Sequence, residues 1–338
     1  MMDFPPTAPS PAAPGSGTLA GSVWVSNDGG DSLSVIDAAT NALTVTLRGL
    51  TNPHNIQVGL AGTAVYATDT SDRVVTVDPA TYTVAAVAGT GSHPAHVIEA
   101  PNGRVYVTNA GDATVSVYHA GGLQPAKTIQ LTGMPHGLRA AANGSVIVVA
   151  DMHSGALDLI DPADDRRLGS IPVGPEPVQV AVSADGRHAY ATVTDPPAVV
   201  KVDLVDRKVV GTVPVSARPV QLYLTPDDAT VLSADEGTPE QPGNQLSVID
   251  TDSMTVRQSI TVGSGPHGVV IDDSGARAYV TNRFDDTVSV VDLAGHSLIA
   301  TVPVGPGPTG VSYSTRAPAA TNPAIALDVG SARTHATQ

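Results

Sequence analysis

The sequence predicts an all-β fold: a seven-bladed β-propeller of four-stranded antiparallel blades, closed by pairing the C-terminal strand with blade one. Composition is the first ground. The 338 residues are rich in Val, Thr, Ala, Gly and Pro and poor in Lys, Glu and Leu, which favours short strands and turns over helices. A repeat is the second. A proline, with a β-branched or aliphatic residue soon after it, recurs at Pro53, Pro94, Pro135, Pro177, Pro219, Pro266 and Pro308. The intervals are 41, 41, 42, 42, 47 and 42 residues, the period of a propeller blade. The third ground is how the chain closes. It opens on what reads as the second strand of a blade and finishes with an orphan first strand. Joining the two makes a ring with no open sheet edge.

The elements of each blade follow in order. The repeat proline opens strand one. Strand two is a short alternating run at residues 23–27, 65–69, 105–109, 147–151, 189–193, 231–235 and 278–282. Strand three follows, as at residues 33–37 and 288–292. In all blades but the third, which has Tyr118, it ends in Asp37, Asp78, Asp161, Asp203, Asp250 or Asp292. Those aspartates read as turn formers, whose carboxylates take nearby backbone N–H groups. Strand four, as at residues 168–173 and 298–304, completes the unit, and residues 310–314 supply the orphan closing strand. The domain reading is therefore a disordered Pro/Ala-rich arm over residues 1–20, the propeller over 21–315, and a disordered tail over 316–338.

Charge and composition exclude several functions. A net charge of −15 disfavours nucleic acid and anionic membranes as partners and suits a soluble protein, read here as a monomer. The chain has no Cys, hence no disulfide framework or thiolate chemistry. No apolar run approaches the roughly 18 residues of a membrane span. Residues 1–20 lack a basic start and an apolar stretch, so the chain as written reads as cytoplasmic, or as exported if a leader has been removed.

The runs Tyr106-Val107-Thr108-Asn109 and Tyr279-Val280-Thr281-Asn282, each followed by Thr-Val-Ser-Val, resemble the signature of the YVTN-repeat β-propellers over about residues 21–314. The resemblance implies the fold. For function it implies a range: surface-layer modules, binding proteins, lyases and parts of metalloenzymes. Similar propellers include the copper-holding one of nitrous oxide reductase, where histidines near the axis hold the metal, and the streptogramin lyases.

Strand alternation places the start of strand one and the loop between strands two and three at one end of the disc, called the top. Six of the ten histidines fall there. His54, His136 and His267 directly follow the repeat proline, and His96 sits one place later in its blade. His93 precedes its proline, and His153 lies in a top loop of blade four. Imidazoles converging from separate blades can hold a divalent transition metal, Cu or Zn, so His54, His96, His136 and His267 are the candidate ligands. The alternative for each is a turn cap or a hydrogen bond to a neighbouring blade. His153, Asp151 and Glu236 are candidate acid–base groups, and Asp69, Asn109, Asp235, Asn282 and Arg283 candidate substrate-binding groups on the same face. A long insertion over residues 235–244 reads as a lid. Two functions stay open: metal-assisted, lyase- or oxidoreductase-like chemistry on a small-molecule ligand at the channel mouth, or a non-catalytic scaffold for a ligand or protein.

Overall fold

The structure is a computed structural model and describes residues 20–319 and 321–330. Seven sheets stand around one axis. Blade two holds Ile56–Val58, Val65–Asp69, Arg73–Asp78 and Thr83–Gly89, and every later blade repeats this antiparallel order. Blade one is built from both ends of the chain. Pro308–Ser314 lies innermost and pairs antiparallel with Ser22–Asn27, with Val25 opposite Val311 and Ser22 opposite Ser314. The predicted closure is the observed one.

Burial explains why strand two alternates so clearly. Val23, Val25, Val65, Val105, Val107, Ile147, Val149 and their counterparts are fully buried, because both faces of each blade pack on a neighbouring blade. Strand four is the outer rim, and its residues are mostly exposed, as in Lys208–Pro214. The aspartates that end strand three cap their turns: Asp37 Oδ1 accepts the N–H of Ala39 at 2.8 Å, and Asp78 Oδ1 that of Ala80 at 2.7 Å.

The Tyr-Val-Thr-Asn repeat has a physical meaning here. Its Thr sits between blades. Thr108 Oγ1 accepts the N–H of His96 at 3.0 Å and donates to the carbonyl of His136 at 2.6 Å, so one hydroxyl fixes two inner strands. Thr68, Thr192 and Thr281 make the same pair of bonds in their blades. The Asn acts within its own blade: Asn109 Nδ2 donates to Thr114 and Ser116, the Thr and Ser of Thr-Val-Ser-Val.

Two expectations are corrected. The tail over residues 316–338 is not uniformly disordered, since Asn322–Ala326 runs parallel to Ala42–Arg48 as a fifth strand of blade one. Ile325, Leu327 and Val329 alternate and pack on the core between blades one and two, covering an edge that would otherwise be open. The insertion of blade six is not a loose lid. It lengthens the hairpin of Thr230–Gly237 and Pro242–Asp250. Gly237, at φ +74°, makes the bend possible, and a Cβ there would collide with the Gln241 carbonyl. The arm over residues 1–20, apart from Ala20, lies outside the described residues, as do residues 320 and 331–338. Among the described residues no helix is long and apolar enough to cross a membrane.

Candidate metal centre

Strand one starts at the top of the axis in every blade, so a side chain just after the repeat proline is directed to the channel mouth. A register shift there, as between Pro135 and Leu138 and between Pro266 and Val269, frees the first residues of the strand from regular pairing. His54, His136 and His267 occupy that position in blades two, four and seven. The rings meet. Centroid separations are 4.8 Å for His96–His136, 5.3 Å for His54–His136, 5.7 Å for His54–His96 and 6.4 Å for His54–His267. One nitrogen from each of His54, His96 and His136 lies within 4.8 Å of the other two.

The hydrogen bonds around the rings decide where their lone pairs point. His136 Nδ1 lies 3.0 Å from the Val178 carbonyl, which can only accept, so the free lone pair of His136 is on Nε2. That Nε2 faces His54 Nε2 at 3.3 Å. Two imidazole nitrogens bound tetrahedrally to one zinc-sized ion stand about 3.3–3.4 Å apart. His267 Nδ1 lies 2.8 Å from Glu236 Oε1, leaving Nε2 buried and without a partner. His96 Nε2 is likewise buried and unpartnered. His96 Nδ1 accepts from the Gln179 side-chain amide at 3.3 Å, while the oxygen of that amide takes the Val180 N–H at 2.9 Å. That places the proton of His96 on Nε2, and holding a cation there requires the Gln179 amide to turn over. Gln179 reaches His96 only because residue 137 between them is glycine; a Cβ there would overlap the Gln179 side chain.

Burial keeps three of the rings, those of His96, His136 and His267, neutral. Burial, and then the His136 and His54 imidazoles, hold His96 well below the usual imidazole range. Burial and His54 push His136 down to about 3. His267 is also lowered, because burial outweighs the pull of Glu236. Neutral imidazoles with free lone pairs are what a transition metal requires. A charged belt surrounds them: Arg283 lies 3.5 Å from Asp28 and 3.9 Å from Glu236, and Asp28 lies 4.0 Å from His54 Nδ1. Burial raises both carboxyls, yet the histidines and Arg283 outweigh it and leave Asp28 and Glu236 below the ordinary carboxylate range.

The other predicted site residues are elsewhere or otherwise engaged. Glu236 and Arg283 join the cluster, Glu236 bonding His267 rather than standing with His153. Asp69, Asn109, Asp151, Asp235 and Asn282 are fully buried inside their blades. Asp69 pairs with Arg73, Asp151 accepts the N–H groups of Met134 and Ser154, and Asp235 accepts from Ser216, Ser233 and Ser247. Asn282 donates to Thr287 and Ser289. The physical reason is that the end of strand two turns into the blade, where a polar side chain satisfies the following loop and strand. His153 is exposed on the top rim, in a hollow with Met134, Met152 and Glu176. His93 is exposed too, with Nδ1 2.9 Å from Ser92 Oγ. Asp28 and Gln179 were not foreseen. Asp28 comes directly after Asn27 in blade one as Glu236 comes directly after Asp235 in blade six, a shared position of the repeat that marks both.

Solved structures confirm the fold from outside. Hydrazine synthase of Kuenenia stuttgartiensis aligns at a TM-score of 0.69 and 22% identity, over 77% of this chain and 89% of that one. A functionally unknown protein from Desulfotomaculum acetoxidans aligns at 0.76 and 12%, over 87% and 99%. A dihydro-heme d1 dehydrogenase, solved with its ligand, aligns at 0.64 and 13%, over 90% and 77%. At these identities the likeness is one of fold. No curated protein matches in sequence. A family model, however, matches residues 55–231, just over half the chain and the stretch that carries His96, His136 and Gln179. The chain belongs to the YNCE-like β-propeller family.

Proposed function

We propose that this propeller is a metal-dependent protein that holds a divalent transition metal on His54, His96 and His136 and acts on a small-molecule ligand at the top of its axial channel. The convergence of three imidazoles from three successive blades carries the reading. The unpartnered Nε2 of His267 supports it, because a buried lone pair without a partner is costly unless something fills the gap. Zinc or copper suits an all-imidazole donor set. His267 stands beside the triad as a further donor, its proton held on Nδ1 by Glu236. Bound there, such a metal supplies Lewis-acid polarisation of a ligand oxygen, or one-electron chemistry if it is copper. Arg283 and Asp28 line the approach and orient a polar ligand. Hydrazine synthase and the dihydro-heme d1 dehydrogenase show that similar propellers serve enzymes.

A scaffold role is the second reading, favoured by the exposed apolar side chains Val205, Val209 and Val210 at the outer edge of blade five. Metal content separates the two. Protein purified without a histidine tag should take up about one equivalent of cobalt or zinc, and His54→Ala or His136→Ala should weaken uptake at least tenfold. Uptake below about a tenth of an equivalent, with no saturation on titration, would refute the metal reading.

A further inference from the structure

The far end of the same axis holds a second, chemically different cavity. Four residues beyond the repeat proline that opens strand one, roughly 13 Å along it, the inner strands present Gln57, Arg139, Ala181, Tyr223, Val270 and Ser312. They line a cavity of about 290 Å³ at the bottom of the channel. Its size is at the low end of small-ligand sites.

Three polar groups there lack ordinary partners. Arg139 is half-buried and donates only to the carbonyl of its neighbour Leu138, at 2.9 Å. Among the described residues no carboxylate lies within ion-pair distance of it. In a chain with 32 acidic residues against 17 basic ones, an inward-facing guanidinium with no counter-ion is conspicuous. Gln57 Oε1 is buried with no donor. The Tyr223 hydroxyl has no hydrogen-bond partner among the described residues, and burial raises its pKa while Arg139 opposes the rise. Asp228 at the rim is already engaged, accepting the Ala184 N–H at 2.9 Å. Leu222 and Val270 supply apolar wall.

We propose that this cavity binds a small organic acid. Its carboxylate pairs with Arg139, a hydroxyl or N–H donor on its body reaches Gln57 Oε1, and its apolar part lies against Leu222 and Val270. An arginine suits the first role because its planar fork matches a carboxylate. The orphan acceptor adds selectivity, since an acid without a donor leaves Gln57 unsatisfied.

The test uses 4-hydroxybenzoate as probe, with benzoate and methyl 4-hydroxybenzoate beside it, by isothermal titration on the full chain without added metal. The acid should bind saturably and at least tenfold tighter than its ester, a charged hydrogen bond being worth about that or more. Arg139→Gln should remove that tenfold advantage. Gln57→Leu should weaken 4-hydroxybenzoate but leave benzoate unchanged, and this variant carries the test if Arg139→Gln does not fold. No saturable binding of either acid, an ester as tight as the acid, or Gln57→Leu weakening both acids equally would overturn the proposal. Because no metal is added, failure here leaves the histidine cluster untouched, and failure of the metal reading leaves this cavity intact.

Discussion

Thr108 shows how much a single hydroxyl does in this molecule. It joins the His96 amide to the His136 carbonyl and so sets the spacing of two candidate ligands across a blade boundary. Replacing it by valine keeps the shape and leaves both backbone groups buried and unpaired. Thr108→Val should therefore cost about 1–3 kcal/mol in urea unfolding and weaken metal uptake as well. An unchanged midpoint would show that the two groups find other partners. At this scale the sequence was partly legible. The proline-histidine starts of strand one pointed at His54, His136 and His267, because each lies at one fixed position of the repeat. The polar ends of strand two misled. Asp69, Asn109, Asp151, Asp235 and Asn282 sit at the top in sequence terms, yet their side chains turn inward to satisfy their own loops. Strand alternation gives the end of the disc at which a residue lies and says nothing of which way a terminal side chain folds over.

Among the elements, the added strand Asn322–Ala326 is the clearest surprise. Ala dominates the tail, with Thr and Pro among it, and that composition reads as disorder, but the alternation of Ile325, Leu327 and Val329 supplies one apolar face. Leu327 is 6% exposed, packed on the core shared by blades one and two. Leu327→Ala should destabilise by about 2–4 kcal/mol, read as a lower midpoint of denaturant unfolding. A variant as stable as the parent would mean that the strand rests on its backbone pairing alone. The hairpin of blade six teaches the converse. Its extra length was visible in the 47-residue interval, whereas its rigidity and its delivery of Glu236 onto His267 of the next blade were not. Insertion length is a sequence property; where its tip lands depends on the neighbouring blade.

Across the whole molecule, burying neutral imidazoles at the axis links stability to pH. A histidine lowered in the folded state binds its proton more readily when unfolded, so folding loses stability as pH falls below about 6.5. For His136 this continues toward its folded value of about 3, and His96 and His267 act in the same direction. Asp28 and Glu236, lowered carboxyls, add a second loss below the ordinary carboxylate range. The metal-free protein should thus melt at lower temperature as pH drops from 7 to 5, each such histidine adding up to about 1.4 kcal/mol per pH unit. His136→Gln should flatten the slope of Tm against pH, and parallel curves for variant and parent would contradict the linkage.

What the sequence determined by itself was the ring: blade count, strand order and closure are periodic, and a period is a property of one dimension. Which side chains meet at the axis is different. Residues 54, 96, 136 and 267 are separated by whole blades, and their rings touch only because seven sheets close on a common centre. The tertiary structure alone decided that Glu236 would bond His267, that Gln179 would reach His96 over Gly137, and that Arg139 would face the axis without a counter-ion. Those contacts depend on distances between blades, which no repeat interval encodes.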